Sequence, residues 1–122
     1  MPDRPTFDLI AHLHRQHAFA ERTFGPGLRD AALAAHVRKE LDEVAEAADS
    51  GDSLRTAEEW VDVITLASEA ALRRLEHAGR GNAAMALATL LAAKQAENEQ
   101  RRWPDWRKAD PGQPIEHDRS AE

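Results

Sequence analysis

The sequence contains no cysteine, which excludes disulfide bonds and thiolate metal ligands. Aromatic residues make up only 5% of the chain, and valine and isoleucine are few. These residue types favour strands, whereas the abundant alanine favours helices. The composition therefore predicts an all-α protein.

The chain also lacks an apolar run long enough to cross a membrane, and its N-terminus has no signal-peptide core. Its formal net charge of -6 argues against binding to duplex nucleic acid, because phosphate neutralisation requires a basic surface. We therefore expect a cytoplasmic protein with no membrane or nucleic-acid partner. A small anionic ligand could still bind through metal ions and local basic residues.

Six glycines and six prolines lie almost entirely at the ends of apolar stretches of helical period and in the C-terminal tail. This pattern predicts a helical domain over residues 1–104 and an extended, polar tail over residues 105–122. The domain should contain four helices. Their expected bounds are Thr6 or Asp8 to Arg22, Arg29 to Asp49, Ser53 or Thr56 to His77, and Asn82 to Arg102. The third helix is apolar around most of its circumference, which predicts subunit contact in a homodimer or homotetramer.

Two acidic pairs flank the turn between the second and third helices. Glu40 and Glu43 precede the turn at residues 49–52, and Glu59 and Asp62 follow it. Spacing of i, i+3 places the two carboxylates of a pair on one helical face. If the helices fold back on each other, all four carboxylates converge, and such repulsion is tolerable only around divalent cations. Hard oxygen ligands suit Mg²⁺ or Mn²⁺, so the sequence predicts a metal site.

Each of these features also has a simpler interpretation. Glu59 completes a capping box with Thr56, and acidic residues often lie on solvated helix faces. Lys94 continues the inner line of the fourth helix, where it either faces the acidic cluster or extends its ammonium group to water. Trp103 and Trp106 either stack on a purine or pack the tail against the helices.

Histidines are concentrated in the first two helices. His36 precedes Glu40 by one helical turn, which makes it the histidine expected to approach a ligand. The others lack a recognisable metal-ligand spacing, and we expect surface or core-edge positions for His12, His14 and His17.

The acidic motifs E-x-x-E and E-x-x-D resemble those of the MazG-like all-α nucleotide pyrophosphohydrolases. The segments R-T-F-G-P-G at 22–27, K-Q-A-E-N-E-Q-R-R-W at 94–103, W-P-D-W-R at 103–107 and I-E-H at 115–117 are similar to its dATP/dGTP diphosphohydrolase (MazZ-like) branch in phages and bacteria. The resemblance covers about residues 22–117 and leaves the first helix without a motif. Lys39 stands where the family's first motif begins with a glutamate.

The resemblance implies a four-helix bundle completed by oligomerisation. It also implies Mg²⁺-dependent cleavage of dGTP and dATP to the monophosphate and pyrophosphate, with two or three ions per site and Mn²⁺ able to substitute. A phage-encoded enzyme of this kind would act in the host cytoplasm. Glu40 and Glu43 would be catalytic, as metal ligands or as the base that accepts a proton from the attacking water. Substrate binding would involve His36, Lys94, Asn98, Arg102, Trp103 and Trp106.

Two rival functions fit the same residues. One is a pyrophosphohydrolase for a pyrimidine nucleotide, dUTP or dCTP. The other is a non-enzymatic helical interaction module, whose third helix would be the partner surface. The loop at residues 22–27 also has two interpretations: it is either a tight connection between helices or part of a base pocket.

Overall fold

A computed structural model describes residues 6–121, and this part of the chain contains four α-helices and no strand. The helices are α1 (Leu9–Phe24), α2 (Asp30–Ser50), α3 (Ser53–His77) and α4 (Ala83–Gln100). Two single 3₁₀ turns follow at Trp106–Lys108 and Arg119–Ala121. The predicted all-α class and the four helices are confirmed.

Side-chain caps fix the starts of the first and last helices. A carboxylate oxygen of Asp8 accepts a hydrogen bond from the Ala11 backbone N–H at 3.1 Å. The amide oxygen of Asn82 accepts from the Met85 N–H at 3.0 Å. Both residues satisfy backbone donors that have no partner within the helix. Of the two predicted starts of α1, Thr6 and Asp8, it is therefore Asp8 that caps the helix, and Asn82 caps α4 as predicted.

The start of α3 differs from the prediction. Neither Ser53 nor Thr56 caps this helix, because Asp52 does so by accepting from the Arg55 N–H at 3.0 Å. Gly51 adopts the left-handed conformation (φ 79°), which ends α2, and Asp52 follows in an extended conformation that suits an N-cap. Thr56 lies inside the helix and donates its hydroxyl to the Asp52 carbonyl at 2.7 Å. The capping-box interpretation of Glu59 therefore does not hold.

The chain divides into two compact units, Met1–Ala88 and Thr89–Glu122. In the first unit, α2 and α3 pack against each other across the tight turn at Gly51 and Asp52, and α1 packs on α3. A core forms where α1, α3 and the start of α4 meet. Its buried members are Leu13, Leu72, Ala83, Ala84 and Leu87.

A second apolar face of α3 is exposed in the isolated chain. Trp60, Val61 and Ile64 retain 48%, 55% and 63% of their accessible surface. Side chains of this size on neighbouring positions of one helix are uncommon on the surface of a monomer. This is the surface that the sequence marked for subunit contact.

In the second unit, the tail folds back onto the end of α4. The Trp103 indole N–H donates to the Asn98 carbonyl at 2.7 Å, and the Trp103 ring meets the His117 ring edge-on at 5.7 Å. The Asp118 N–H donates to the Arg102 carbonyl at 2.8 Å. In residues 6–121, no helix has the length and apolar character needed to cross a membrane.

Candidate functional site

The α2–α3 hairpin brings three of the four predicted carboxylates together. Glu40, Glu43 and Glu59 each offer an oxygen within 4.8 Å of those of the other two, and all three residues are half-buried. Asp62 is more exposed and lies outside this group, although its negative charge acts on both Glu40 and Glu59. The hairpin therefore builds a cluster of three glutamates with a fourth carboxylate nearby.

The surroundings of Glu40 and Glu59 destabilise the ionised forms of their carboxyl groups. A hydrogen bond with Glu43 raises the pKa of Glu40, as do burial and the charges of Glu43 and Asp62, while the contact with His36 opposes the rise. Burial raises the pKa of Glu59, and Glu43 and Asp62 raise it further. A carboxylate with a raised pKa favours its neutral form. A cation bound among these residues would stabilise their ionised forms.

Unsatisfied oxygens in the cluster fit a divalent cation. Glu40 Oε2 and Glu59 Oε2 are buried and have no hydrogen-bond partner. A buried acceptor without a donor is unfavourable, and native proteins leave few of them. The other carboxylates of the cluster cannot donate to these oxygens when ionised. All of these candidate ligands are hard oxygens, the type that Mg²⁺ and Mn²⁺ prefer.

A cavity of about 150 Å³ adjoins the cluster within the first unit. Its apolar walls include Phe19 and Phe24, whose rings meet edge-on at 6.3 Å. His36 lines the cavity and also contacts Glu40, with Nε2 3.2 Å from Oε1. The other lining residues are Gln16, Ala20, Arg29, Ala32, Leu33, Thr65, Leu66, Glu69 and Arg73. A mostly apolar pocket with a few polar groups is typical of a small-molecule site.

One wall of the cavity carries a buried ion pair. Glu69 and Arg73 retain only 4% and 3% of their accessible surface, and Arg73 Nε donates to Glu69 Oε1 at 3.0 Å. Arg73 Nη1 donates at 2.8 Å to the carbonyl oxygens of both Gly25 and Gly27. The loop after α1 is thus anchored to α3, and Phe24 is held at the cavity. This favours the interpretation of the loop as part of a pocket.

His17 completes the network around Glu69. Its Nδ1 lies 2.7 Å from Glu69 Oε1, and its Nε2 lies 2.6 Å from Glu21 and 2.8 Å from Glu76. Burial lowers the pKa of His17, but its hydrogen bonds to Glu76 and Glu69 and the charges of Glu69 and Glu21 outweigh burial and raise it overall. His17 lies at the edge of the core, as expected.

Sequence reasoning missed Glu69 and Arg73. The available signal was a pair of opposite charges at i, i+4 within the apolar second half of α3. A charged pair in such a stretch indicates a buried ion pair or a site.

The predicted substrate-binding residues beyond Ala88 lie in the second unit. Lys94 pairs with Glu97 at 3.3 Å, and both side chains are exposed. Asn98 Oδ1 accepts from Arg101 at 3.1 Å. The exposed Trp106 ring lies 4.9 Å from the guanidinium carbon of Arg107. Their roles in binding substrate stay predictions.

A family model described as dATP/dGTP pyrophosphohydrolase matches residues 13–122. The chain belongs to this family. The dATP/dGTP pyrophosphohydrolases are hydrolases acting on acid anhydrides, so the chain is an enzyme of that class, and the resemblance found in the motifs is confirmed. The match begins within α1 and includes Gln16, Phe19 and Ala20, which line the cavity. No curated protein and no solved structure gives a significant match.

Proposed function

We propose that this enzyme acts in the cytoplasm as a Mg²⁺-dependent pyrophosphohydrolase of purine deoxynucleoside triphosphates. It would cleave dGTP and dATP between the α- and β-phosphates and release the monophosphate and pyrophosphate. The supporting observation is the convergence of Glu40, Glu43 and Glu59 beside a cavity that His36 joins to the cluster. The family description supports the choice of purine substrates.

The acidic residues would bind the metal ions at the phosphates and accept a proton from the attacking water. Glu40, Glu43, Glu59 and Asp62 would hold two or three Mg²⁺ ions, and Mn²⁺ would substitute. When bound, these ions neutralise the triphosphate and lower the pKa of a coordinated water. Glu40 and Glu43 are the candidates for accepting the proton of the water that attacks the α-phosphorus. His36 orients Glu40 through the 3.2 Å contact.

The cavity would receive the base. Phe19 and Phe24 offer aromatic surfaces for a planar ring, and base–aromatic stacking tolerates either purine. Lys94, Asn98 and Arg102 are proposed to bind the leaving pyrophosphate, whose negative charge grows as the bond breaks. Trp103 and Trp106 are proposed as further substrate contacts.

We further propose that the enzyme is a homodimer or homotetramer in which α3 is covered. The exposed Trp60, Val61 and Ile64 support this assembly. Light scattering on the protein as it elutes from a size-exclusion column should give the mass of two or four chains. The Ile64→Glu variant should instead give the mass of one chain. Glu58→Gln, at an exposed acidic position of the same helix, is the matched control and should keep the wild-type mass.

Hydrolysis in ¹⁸O-labelled water tests the reaction. The purified enzyme is incubated with Mg²⁺ and, separately, with dGTP, dATP, dUTP and dCTP, and the products are resolved by mass spectrometry. We expect the monophosphate to carry the label, because water attacks the α-phosphorus, and we expect the purine nucleotides to react fastest. Chelation of Mg²⁺ by EDTA should abolish turnover, and added Mn²⁺ should restore it.

Two results would contradict the proposal. Formation of a nucleoside diphosphate and orthophosphate would place the cleavage at the wrong bond. Faster hydrolysis of dUTP or dCTP would assign a pyrimidine substrate. Glu43→Gln should be inactive, whereas Glu46→Gln, at an exposed position on the same helix, should match the wild type.

A further inference from the structure

We propose that Glu69 reads the purine base, with its Oε2 atom accepting a hydrogen bond from an N–H group on the edge of a base bound in the cavity. The inference rests on the proposed function, because it requires the cavity to hold the base. It assigns specificity to a residue outside the acidic motifs of the hairpin.

The position of Glu69 is fixed by its other oxygen. Oε1 lies 3.0 Å from Arg73 Nε and 2.7 Å from His17 Nδ1. Arg73 is in turn held by the carbonyls of Gly25 and Gly27. A carboxylate held on one oxygen by two nitrogens presents the other oxygen in a defined direction.

Oε2 is the atom of Glu69 that remains for a ligand. It is buried and has no hydrogen-bond partner, and Glu69, which is 4% exposed, lines the cavity. A buried carboxylate oxygen without a donor is strongly unfavourable. An N–H group of a bound base would supply the missing donor. None of the polar residues that line the cavity, which include Gln16, Arg29, His36 and Thr65, donates a hydrogen bond to Oε2.

The chemistry of an ionised carboxylate explains how one site accepts two different purines. It accepts hydrogen bonds and donates none. Adenine offers its exocyclic amino group, and guanine offers N1–H and its own amino group. A purine whose edge carries only acceptors leaves Oε2 unpaired. Glu69 therefore selects for an N–H group on the base edge, and the size of the cavity selects for the ring.

A pair of substrates that differ by one amino group tests the inference on the unaltered enzyme. We compare dATP with the 2′-deoxyribonucleoside triphosphate of unsubstituted purine, in which hydrogen replaces the amino group of adenine. The analogue lacks one hydrogen bond to a charged group. We therefore expect its kcat/KM to be lower than that of dATP by on the order of 10-fold to 100-fold.

Glu69→Gln then tests the residue. Its amide oxygen should take the place of Oε1, because Arg73 Nε needs an acceptor, which leaves the amide NH₂ group at the position of Oε2. That group can donate to N1 of either base and cannot accept from the amino group of adenine. We expect kcat/KM for dATP to fall and the ratio between the two substrates to approach one or to invert.

Glu76→Gln is the matched control. Glu76 also contacts His17, at 2.8 Å, but is not among the cavity residues. It should keep the wild-type ratio, whereas a general disturbance of the His17 network would change the ratio in both variants and overturn the assignment to Glu69. If Glu69→Gln fails to fold, the substrate pair on the wild-type enzyme still keeps the inference falsifiable, because equal kcat/KM for the two substrates would overturn it.

The outcomes separate the inference from the proposed function. Equal kcat/KM for dATP and the analogue on the wild-type enzyme would overturn the role of Glu69 and leave the hydrolase intact. An unchanged ratio in Glu69→Gln would do the same. Failure of the wild-type enzyme to release monophosphate from dATP or dGTP would overturn the proposed function and the inference with it.

Discussion

His36 Nε2 lies 3.2 Å from Glu40 Oε1, one turn away on α2. The same histidine lines the cavity beside α1, so one side chain contacts both the carboxylate cluster and the proposed base site. In the proposed function, the phosphates and the base of the substrate would lie on opposite sides of His36.

Removing one charge from the cluster should stabilise the protein in the absence of metal. Glu43→Gln takes away a negative charge that raises the pKa of both Glu40 and Glu59. We expect the Tm measured in EDTA to rise by on the order of 2–5 °C. Mg²⁺ should then raise the Tm of the variant less than that of the wild type, since a ligand has been lost.

The control for this change is Glu46→Gln, at an exposed position of the same helix. It should leave both the Tm in EDTA and the effect of Mg²⁺ unchanged. A lower Tm for Glu43→Gln in EDTA would show that the cluster does not repel itself, and the electrostatic basis of the metal site would be lost.

Phe24→Ala should weaken the binding of nucleotide without weakening that of metal. The Phe24 ring lines the cavity, and removing an aromatic ring from a stacked base is worth about 1–3 kcal/mol. We expect KM for dATP to rise roughly 10-fold, with Mn²⁺ affinity unchanged in a calorimetric titration. Phe7→Ala is the control, because Phe7 is exposed and packs on His12 at 5.3 Å. An unchanged KM in Phe24→Ala would remove the base from this cavity.

The sequence predicted the acidic cluster because its members lie close along the chain. Glu40, Glu43 and Glu59 flank one tight turn, and helical periodicity then determines which faces they share. Asp62 lies outside the group of three, although its spacing matched that of the other pair. Spacing fixes a helical face to within about a quarter-turn and does not fix how deeply a side chain is buried.

The other half of the site was not predictable in this way. His17 and Glu69 are 52 positions apart, and Arg73 meets Gly25 across 48. Such contacts depend on how α1 packs against α3, and local sequence patterns do not determine this packing. The prediction of the N-cap of α3 was wrong for a different, local reason. Asp52, Ser53 and Thr56 are all good caps, and the left-handed Gly51 before them decided among the three.

Arg73→Met should destabilise the fold strongly. Loss of the guanidinium leaves the buried Glu69 without its cationic partner and releases two loop carbonyls. Breaking a buried ion pair in this way costs about 3–5 kcal/mol. Urea denaturation measures the change, and Arg73→Lys should recover only part of the loss because an ammonium group lacks the planar fork of donors.

Arg74→Met provides the comparison for Arg73. Arg74 pairs with Asp30 at 2.9 Å, and both side chains are about half exposed. Exposed pairs contribute about 0–1 kcal/mol. Equal losses of stability in Arg73→Met and Arg74→Met would contradict the anchoring of the loop by Arg73.

His17 should make stability depend on pH near neutrality. Its pKa is raised above the ordinary 6.5, so its contribution is fully present below that value and is lost as pH rises through the folded-state pKa. The Tm should therefore fall as pH rises from about 6.5 through the raised folded-state pKa of His17, and His17→Gln should flatten this slope. His14→Gln, on the exposed side of α1, should keep it. Parallel slopes in the wild type and His17→Gln would exclude the network as the cause.

The tight turn at Gly51 and Asp52 also bears on how the enzyme is made. Contacts across such a turn have low sequence separation, and loop closure of this length loses little chain entropy. All four proposed acidic ligands precede α4 in the chain, so they emerge from the ribosome before it does. We therefore expect the nascent hairpin to capture its cations early, so that the core closes around a centre that is already loaded.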